Sequence, residues 1–525
     1  MPGQKKLIKY IPYFIILLLI TTHLSGCITT ENAQPNENSI MIGIADQFFG
    51  FYPWIESYDV STLSINHNIF NSLVRLDNYF RVQPELAESW SNPNNLTWRF
   101  KIKDNITFHN GHFLTIDDVK YSIDLVLNGN VTVLKDLLIN VEKTIIQDNH
   151  TIDIITKKPC PILLNKLADI FIVSQQYQQE TTDKLPIGTG AYKYLNYSNN
   201  NNLSLERYDN YWRGTPDFKE VTFILIEDGK KRKDALVNHE IDIAESISNM
   251  YYQNLSNISE ITLKMVTPPS VNYLVLDFRE YDSSGFPNQK NPLSDIRVRK
   301  ALYHAINTQQ IINETCSHPR FATPATQYVT PLIFGYNPNI SRLPYDLNQS
   351  QKLLNEAGYP NGFNLTLDCP QEYYEHKEIC EVIQEQLSKI INLTLNELPI
   401  EQFFEKLATR NTSFLIIGWL TATGDGGEIY DYLIRTVDKD AGIGTYNIGY
   451  YSNPAIDQIG EQIAQTMDSQ TRLSLMQDGF QIAMDDVACI PLLSTKLIYG
   501  IAHHIEWEPN PGMLLDVENM NLQKE

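Results

Sequence analysis

Apolar positions recur along this chain at two spacings, every second residue in some stretches and every third or fourth in others, and the two periods divide it into strands and helices. In TWRFKI (residues 97–102), Trp98, Phe100 and Ile102 alternate with polar neighbours, the pattern of a strand with one buried face. VTFILI (221–226), VNYLVLDF (271–278), FNLTLDC (363–369) and FLIIGW (414–419) are apolar, β-branched or aromatic runs that predict further strands. Helices are marked by caps as well as by period. After a turn at Asn110 and Gly111, Thr115 caps a helix, with Asp118 three residues on and Ile116, Val119, Ile123 and Val126 along one side. In SDIRVRKALYHAIN, Val298, Ala301, Leu302, Ala305 and Ile306 form one face, which leaves Arg297, Arg299 and Lys300 for a solvated one. In YDLNQSQKLLNEAGYPNGF, Asp346 is the cap, Leu353, Leu354 and Ala357 are the face, and Gly358 is the left-handed stop before Pro360. Another helix is predicted over 376–390. Strands and helices interleave without a repeat, which indicates α/β or α+β layers.

The first residues follow neither pattern. Lys5, Lys6 and Lys9 precede an apolar run over 11–24, shorter than the ~20 residues of a membrane span and of signal-peptide length. The run ends on Leu24, Ser25, Gly26 and Cys27, which resembles the lipobox of secreted lipoproteins. Residues 1–26 would then be a lipoprotein signal peptide and Cys27 the first mature residue, its thiol carrying the lipid. The competing reading is an uncleaved anchor helix. Either one places the rest of the chain outside the cell. Residues 27–39 are polar and without period, as a flexible tether would be, and the folded part is expected to begin near Ile40.

Composition narrows the partners. At 525 residues the chain has room for roughly three domains, or for two lobes with added parts. After the signal no stretch approaches 18 consecutive apolar residues, so no second span is expected. Loss of residues 1–26 takes three lysines and no carboxylate with it, moving the net charge from -21 to -24. Such a surface repels phosphate backbones, and no basic stripe offsets it, which argues against nucleic acid. The remaining cysteines, Cys160, Cys316, Cys369, Cys380 and Cys489, form no CxxC pair. Cys369 and Cys380 are candidates for a disulfide across a strand-to-helix connection, although spacing alone does not set the geometry.

Catalytic and metal-binding patterns are missing. There is no GxSxG, HExxH, Walker A or GxGxxG motif. Asp117 and Asp118, like Asp485 and Asp486, are adjacent and point apart on a helix, which suits caps and surface charge. His109 and His112 flank a turn with no third ligand nearby, and His503 and His504 face opposite ways on an extended segment. The expectation is a protein without catalytic residues, metal or cofactor.

Seven stretches in combination resemble one family, the family 5 solute-binding proteins of ABC importers, which include peptide-binding proteins. They are LVRLDNYFRVQPELAESW (73–90), LTWRFKIKDNITFHNGHFLTIDDVKYSI (96–123), PIGTGAYKY (186–194), LERYDNYWRGTPDFKEVTF (205–223), NPLSDIRVRKALYHAI (291–306), AGYPNGF (357–363) and YYSNPAID (450–457). The resemblance implies a two-lobed periplasmic-binding-protein-like α/β fold of type II, in the large cluster with an extra subdomain. Lobe I would hold 40–66, 184–270 and 495–525, the inserted subdomain 67–183, and lobe II 271–494, with hinge crossings near 267–273 and 489–495. It also implies an extracytoplasmic monomer, held on the outer face of the cell membrane by lipidated Cys27, that captures a peptide-like solute and delivers it to ABC permease subunits. The alternatives are the same receptor fold with an oligosaccharide or metal chelate, a surface enzyme, and a signalling or adhesion module.

The same resemblance points to a pocket. In peptide-binding relatives an acidic residue shortly after a Gly-Trp strand end holds the ligand amino group. Here Gly418 and Trp419 are followed by LTATGDGGE, longer than the commoner pattern, so Asp425 or Glu428 takes that role and Trp419 supplies a wall. The competing reading has Asp425 and its glycines only making a turn. In dipeptide-binding relatives an arginine holds the ligand carboxylate; the comparable CPQEYY (369–374) has none, which argues against a dipeptide specialist.

Overall fold

Three sheets carry most of the architecture, and the chain's path between them positions everything that follows. The computed structural model describes residues 39–48, 50, 60–129, 132–180, 185–198, 202–371 and 376–523; Cys27, the apolar run before it and residues 372–374 of CPQEYY lie outside them. Among the described residues no helix is long and apolar enough to cross a membrane.

The first sheet has seven strands in the order Ile261–Val266, Leu497–Ala502, Ile243–Ala244, Ser39–Ile44, Glu220–Leu225, Asn202–Arg207 and Tyr192–Tyr197. Ser39–Ile44 runs parallel to both of its neighbours and the other pairings are antiparallel. The second sheet has six strands: Ala322–Pro324, Cys489–Thr495, Ser270–Leu276, Phe414–Leu420, Asn364–Pro370 and Asn392–Leu398. Its strand Cys489–Thr495 is buried along almost its whole length, as expected of a strand covered on both faces. A third, antiparallel sheet of four strands, Ala87–Asn94, Thr97–Ile102, Thr151–Thr156 and Val141–Asp148, has its own core around Trp98, Phe100, Ile123 and Ile154.

Local chemistry explains the elements. Thr115 and Asp118 form a reciprocal capping box at the start of helix Ile116–Asn128. Asp346 caps helix Leu347–Glu356, and Gly358 follows it with φ +92°. The motif PIGTGAYKY is held by close approach: a Cβ at Gly188 or Gly190 would overlap the backbone at Ile69, where helix Val60–Ile69 ends.

The chain leaves the seven-stranded sheet after Val266 and enters the six-stranded one at Ser270; it returns between Thr495 and Leu497. The two passages lie side by side, with Ser494 Oγ donating to the Ser270 carbonyl at 2.7 Å. Such short paired passages are where hinge rotation is absorbed in two-lobed proteins.

Arg299 departs from expectation. It is 5% exposed and not on a solvated face; its guanidinium donates to the carbonyls of Asp486 at 2.8 Å and of Leu293 and Ser294 at 3.0 Å. The long aliphatic stem lets an arginine on a buried helix carry its charge to carbonyls at the helix ends. Cys369 and Cys380 are buried free thiols with no bond between them, and the Cys369 thiol donates to the His376 carbonyl at 3.5 Å. Arg299→Met is expected to lower the unfolding free energy by about 1–3 kcal/mol, because it leaves buried carbonyls unsatisfied; urea denaturation monitored by circular dichroism measures it.

Candidate ligand cleft

A cavity of about 880 Å³ opens between two sets of elements. One wall comes from residues between Val60 and Arg213 together with 510–519, the other from residues between Gly418 and Arg472, and Pro269 of the sheet-to-sheet passage lies among them. A volume of this size falls in the range of small-solute sites.

The second wall is built on the loop after strand Phe414–Leu420. Its first amide, Thr421 N, donates to the Pro269 carbonyl at 2.9 Å, tying the loop to the passage between sheets. Gly424, at φ +70°, turns the chain back. Phe334 splints the turn, its amide donating to the Gly424 carbonyl at 3.1 Å and its carbonyl accepting from Gly426 N at 2.8 Å.

Asp425 points away from the cavity. Its carboxylate accepts a fork of two bonds from Arg472, at 2.5 and 2.7 Å, and a third from Gly427 N at 2.8 Å. Asp425 and Arg472 are 5% and 4% exposed. A Cβ at Gly427 would press on both groups, so this glycine leaves room for the pair. Arg472 stands on the buried stripe of helix Ser469–Asp485 with Met476, Phe480 and Ala483.

Glu428 lines the cavity. It is 7% exposed, accepts from Trp419 Nε1 at 3.1 Å and from Thr423 Oγ1 at 2.5 Å, and has no cationic partner among the described residues. Burial pushes its carboxyl up to about 7, against the pull of those hydrogen bonds. Trp419 lines the cavity as part of a group of three rings, its centroid 6.0 Å from Tyr432 and 5.2 Å from Tyr446.

The first wall is charged. His67 meets Asp169 at 3.2 Å; burial opposes the imidazolium, but Asp169, Asp516 and Glu85 outweigh it and hold the pKa above the ordinary value. Arg213 links Glu85, at 3.3 Å, to Glu518. Arg75, on the short strand Val74–Leu76, lines the cavity with its Nε buried and without a hydrogen-bond partner among the described residues.

Of the residues singled out from sequence, Trp419 and Glu428 come together at the cavity while Asp425 turns inward. Arg75, Arg213 and Arg472 were missed. For Arg472 a signal existed: in RLSLMQDGFQIA it occupies the same 3.6-residue stripe as Met476, Gly479 and Phe480, a cation on an apolar face.

The fold and the cleft between two sheet-bearing halves are those of an extracytoplasmic solute-binding protein. Residues 81–440 match the model of the bacterial extracellular solute-binding proteins, family 5 (middle), and the chain belongs to that family. It is similar to the glutathione-binding protein GsiB of Salmonella typhi, 24% identical over 87% of this chain and 89% of the relative. Among solved structures it resembles the substrate-binding protein CtaP of Listeria monocytogenes, with a TM-score of 0.82 and 22% identity over 93% of this chain and 99% of the other. It also resembles DppA of Helicobacter pylori in complex with the peptide STSA, with a TM-score of 0.77 and 21% identity over 93% and 98%. Relatives carry names that range from glutathione to heme, and they are binding proteins rather than enzymes.

Arg472→Met is expected to destabilise the protein by about 3–5 kcal/mol, because it strands the Asp425 charge in the interior. Adding Asp425→Asn should restore part of that loss, as read by urea denaturation of the single and double variants. A double variant no more stable than Arg472→Met would remove Asp425 from its structural role.

Proposed function

We propose that this protein captures a peptide-like solute bearing a free amino group and delivers it to an ABC permease, working as a monomer on the outer face of the cell membrane. The observation that carries the reading is Glu428, a buried carboxyl at the cavity with only neutral donors around it. A ligand ammonium would supply the missing charge, in a charge-assisted bond shielded from water. Asp425 lacks that opening because Arg472 already neutralises it. Arg75, with an unpartnered Nε at the opposite wall, suits the ligand's carboxylate.

The relatives named for glutathione and solved with a tetrapeptide support a ligand with both groups. We assign lobe I to 40–66, 184–270 and 495–525, the inserted subdomain to 67–183 and lobe II to 271–494, the lobes closing over the solute by rotation at the paired passages. The lipid anchor rests on LSGC alone: a diacylated Cys27 would keep the receptor beside its permease, since two acyl chains hold a protein stably to a bilayer. Mass spectrometry of the membrane-extracted protein tests it; an intact Met1 or an unmodified Cys27 would refute it. The ring group of Trp419, Tyr432 and Tyr446 favours the one competing ligand class, an oligosaccharide stacked on aromatic faces.

Native mass spectrometry of the purified mature chain, with identification of what co-purifies, decides between them. A peptide that also raises the melting temperature supports the proposal; a sugar or metal chelate rejects it. For an identified amine-bearing ligand, Glu428→Gln should weaken binding by roughly 10- to 100-fold, as expected for loss of a charged hydrogen bond. The sign with pH follows from the raised carboxyl. Below about 7 the carboxyl is protonated and cannot hold an ammonium by charge, so affinity should rise as pH increases through about 7 in the wild type, and Glu428→Gln should lose that part of the rise and keep only what His67 on the facing wall contributes. In the free protein the same shift lowers stability as pH rises from 4.5 toward 7, because the native state then binds more protons than the unfolded one.

A further inference from the structure

We propose that Phe80 is a positioning residue of lobe closure, a latch that seats the Glu428-bearing loop; the idea rests on the two-lobe closure described under Proposed function. Phe80 belongs by sequence to the inserted subdomain, at the turn between strands Val74–Leu76 and Val82–Pro84. By packing it belongs to the other half of the molecule: it is 8% exposed and sits in the hydrophobic cluster that contains Ile429, Tyr430 and Phe480. Its neighbour Tyr79 is 65% exposed, so the turn presents one ring to solvent and delivers the other across the cleft.

The seat is specific. A Cβ at Gly424 would overlap the Phe80 side chain, so the ring lies directly on the backbone of the ligand loop, and Gly512 of the first wall approaches the ring from a second direction. The loop's Thr423 carbonyl also accepts from Asn165 Nδ2 of the subdomain at 2.8 Å. The same Thr423 donates to Glu428. Both contacts across the cleft therefore fall on consecutive residues, 423 and 424, of the segment that holds the proposed ligand anchor.

The turn is built to hold Phe80 out. Phe80 has φ 56°, a left-handed conformation uncommon for a bulky residue. Asp77 compensates: its carboxylate accepts from Tyr79 N at 2.8 Å and from Arg81 N, Arg81 Nε and Gln83 Nε2 at 3.0 Å each, while its carbonyl accepts from Phe80 N at 2.8 Å. Four bonds on one carboxylate fix a turn that otherwise has little reason to adopt this shape. A separated pair of lobes would leave the ring without its Gly424 seat, so closure gains the burial of one phenylalanine.

The test uses the full-length chain without added ligand. In Asn165→Cys/Thr423→Cys, the two positions meet through the Asn165 side chain and the Thr423 backbone while the Thr423 side chain turns back to Glu428, so the thiols are joined by a short bis-maleimide, and the rate of that crosslink, followed by non-reducing electrophoresis and mass spectrometry, reports how often the cleft closes. With Phe80 present the link is expected to form. Phe80→Ala should slow it by about tenfold or more, and Phe80→Leu should recover much of the rate. Asp77→Ala should slow it too, although it removes no apolar surface, a result that simple loss of packing would not give. Thermal unfolding of each variant checks that it is folded, and the Leu and Asp77 variants carry the comparison if the Ala variant is not. Equal rates with and without Phe80 would overturn the latch and leave closure intact. A link that forms in no variant, although both thiols react with a monofunctional maleimide, would overturn the closed arrangement itself, and the latch with it.

Discussion

The ion pair between Asp425 and Arg472 is the constraint on which the ligand wall depends. Two carboxyls, Asp425 and Glu428, lie three residues apart in a buried loop, and two uncompensated charges at that spacing would not stay inside a protein. Arg472 resolves the conflict for one of them. Its terminal nitrogens bind Asp425, its Nε donates to the Ile463 carbonyl at 3.0 Å, and its helix is anchored by Met476 and Phe480 in the core of that half. The loop is thereby fixed to a helix on one side and, through Thr421, to the sheet-to-sheet passage on the other. Glu428 keeps its place at the cavity because everything next to it in sequence is already held.

The rest of the cleft follows the same division between settled and unsettled charge. On the first wall His67 with Asp169, and Arg213 with Glu85 and Glu518, already satisfy one another. Such networks resist reorganisation and give a ligand a rigid surface rather than a partner. Glu428 and the Nε of Arg75 are among the groups left with capacity, one on each wall, and the Nε of Arg435 on the Glu428 wall is another. A solute that joins an ammonium to a carboxylate would complete Glu428 and Arg75, and in doing so would bridge elements that belong to different halves. That is a physical reason for ligand binding to favour the closed form, independent of the latch contact at Gly424.

Much of this was legible in the sequence, and the limits are instructive. The strands, the Thr115 and Asp346 caps and the Gly358 stop follow from patterns within a few residues, which is the range over which period and capping act. Arg299 was misplaced because a nine-residue helix, Ile296–His304, offers too few turns to reveal how wide its buried face is. That Asp425 is paired could not be read locally, since its partner, Arg472, is 47 residues away. The state of Cys369 and Cys380 was also beyond local reading, since spacing does not set their geometry; they come near each other and stand as thiols packed in a core. Phe80 carried no signal at all. In LVRLDNYF it reads as one more aromatic of a turn, and only the opposing half of the molecule shows which ring is buried.

Glu428 also gives the proposed receptor a link between its ligand and the surrounding pH. With its carboxyl raised to about 7, the empty cleft near neutrality holds a mixture of charged and uncharged forms. An arriving ammonium favours the charged form, so binding would expel part of a proton, and by linkage a fall in pH would weaken the complex. His67 on the facing wall, its pKa raised by Asp169, Asp516 and Glu85, adds a second group whose charge changes with pH beside the cleft. On the proposed reading, a carboxyl poised in this way would tie retention of the solute in part to its own protonation. The loop that fixes that side chain is the one on which Phe80 closes, so recognition, closure and proton balance converge on residues 421–428.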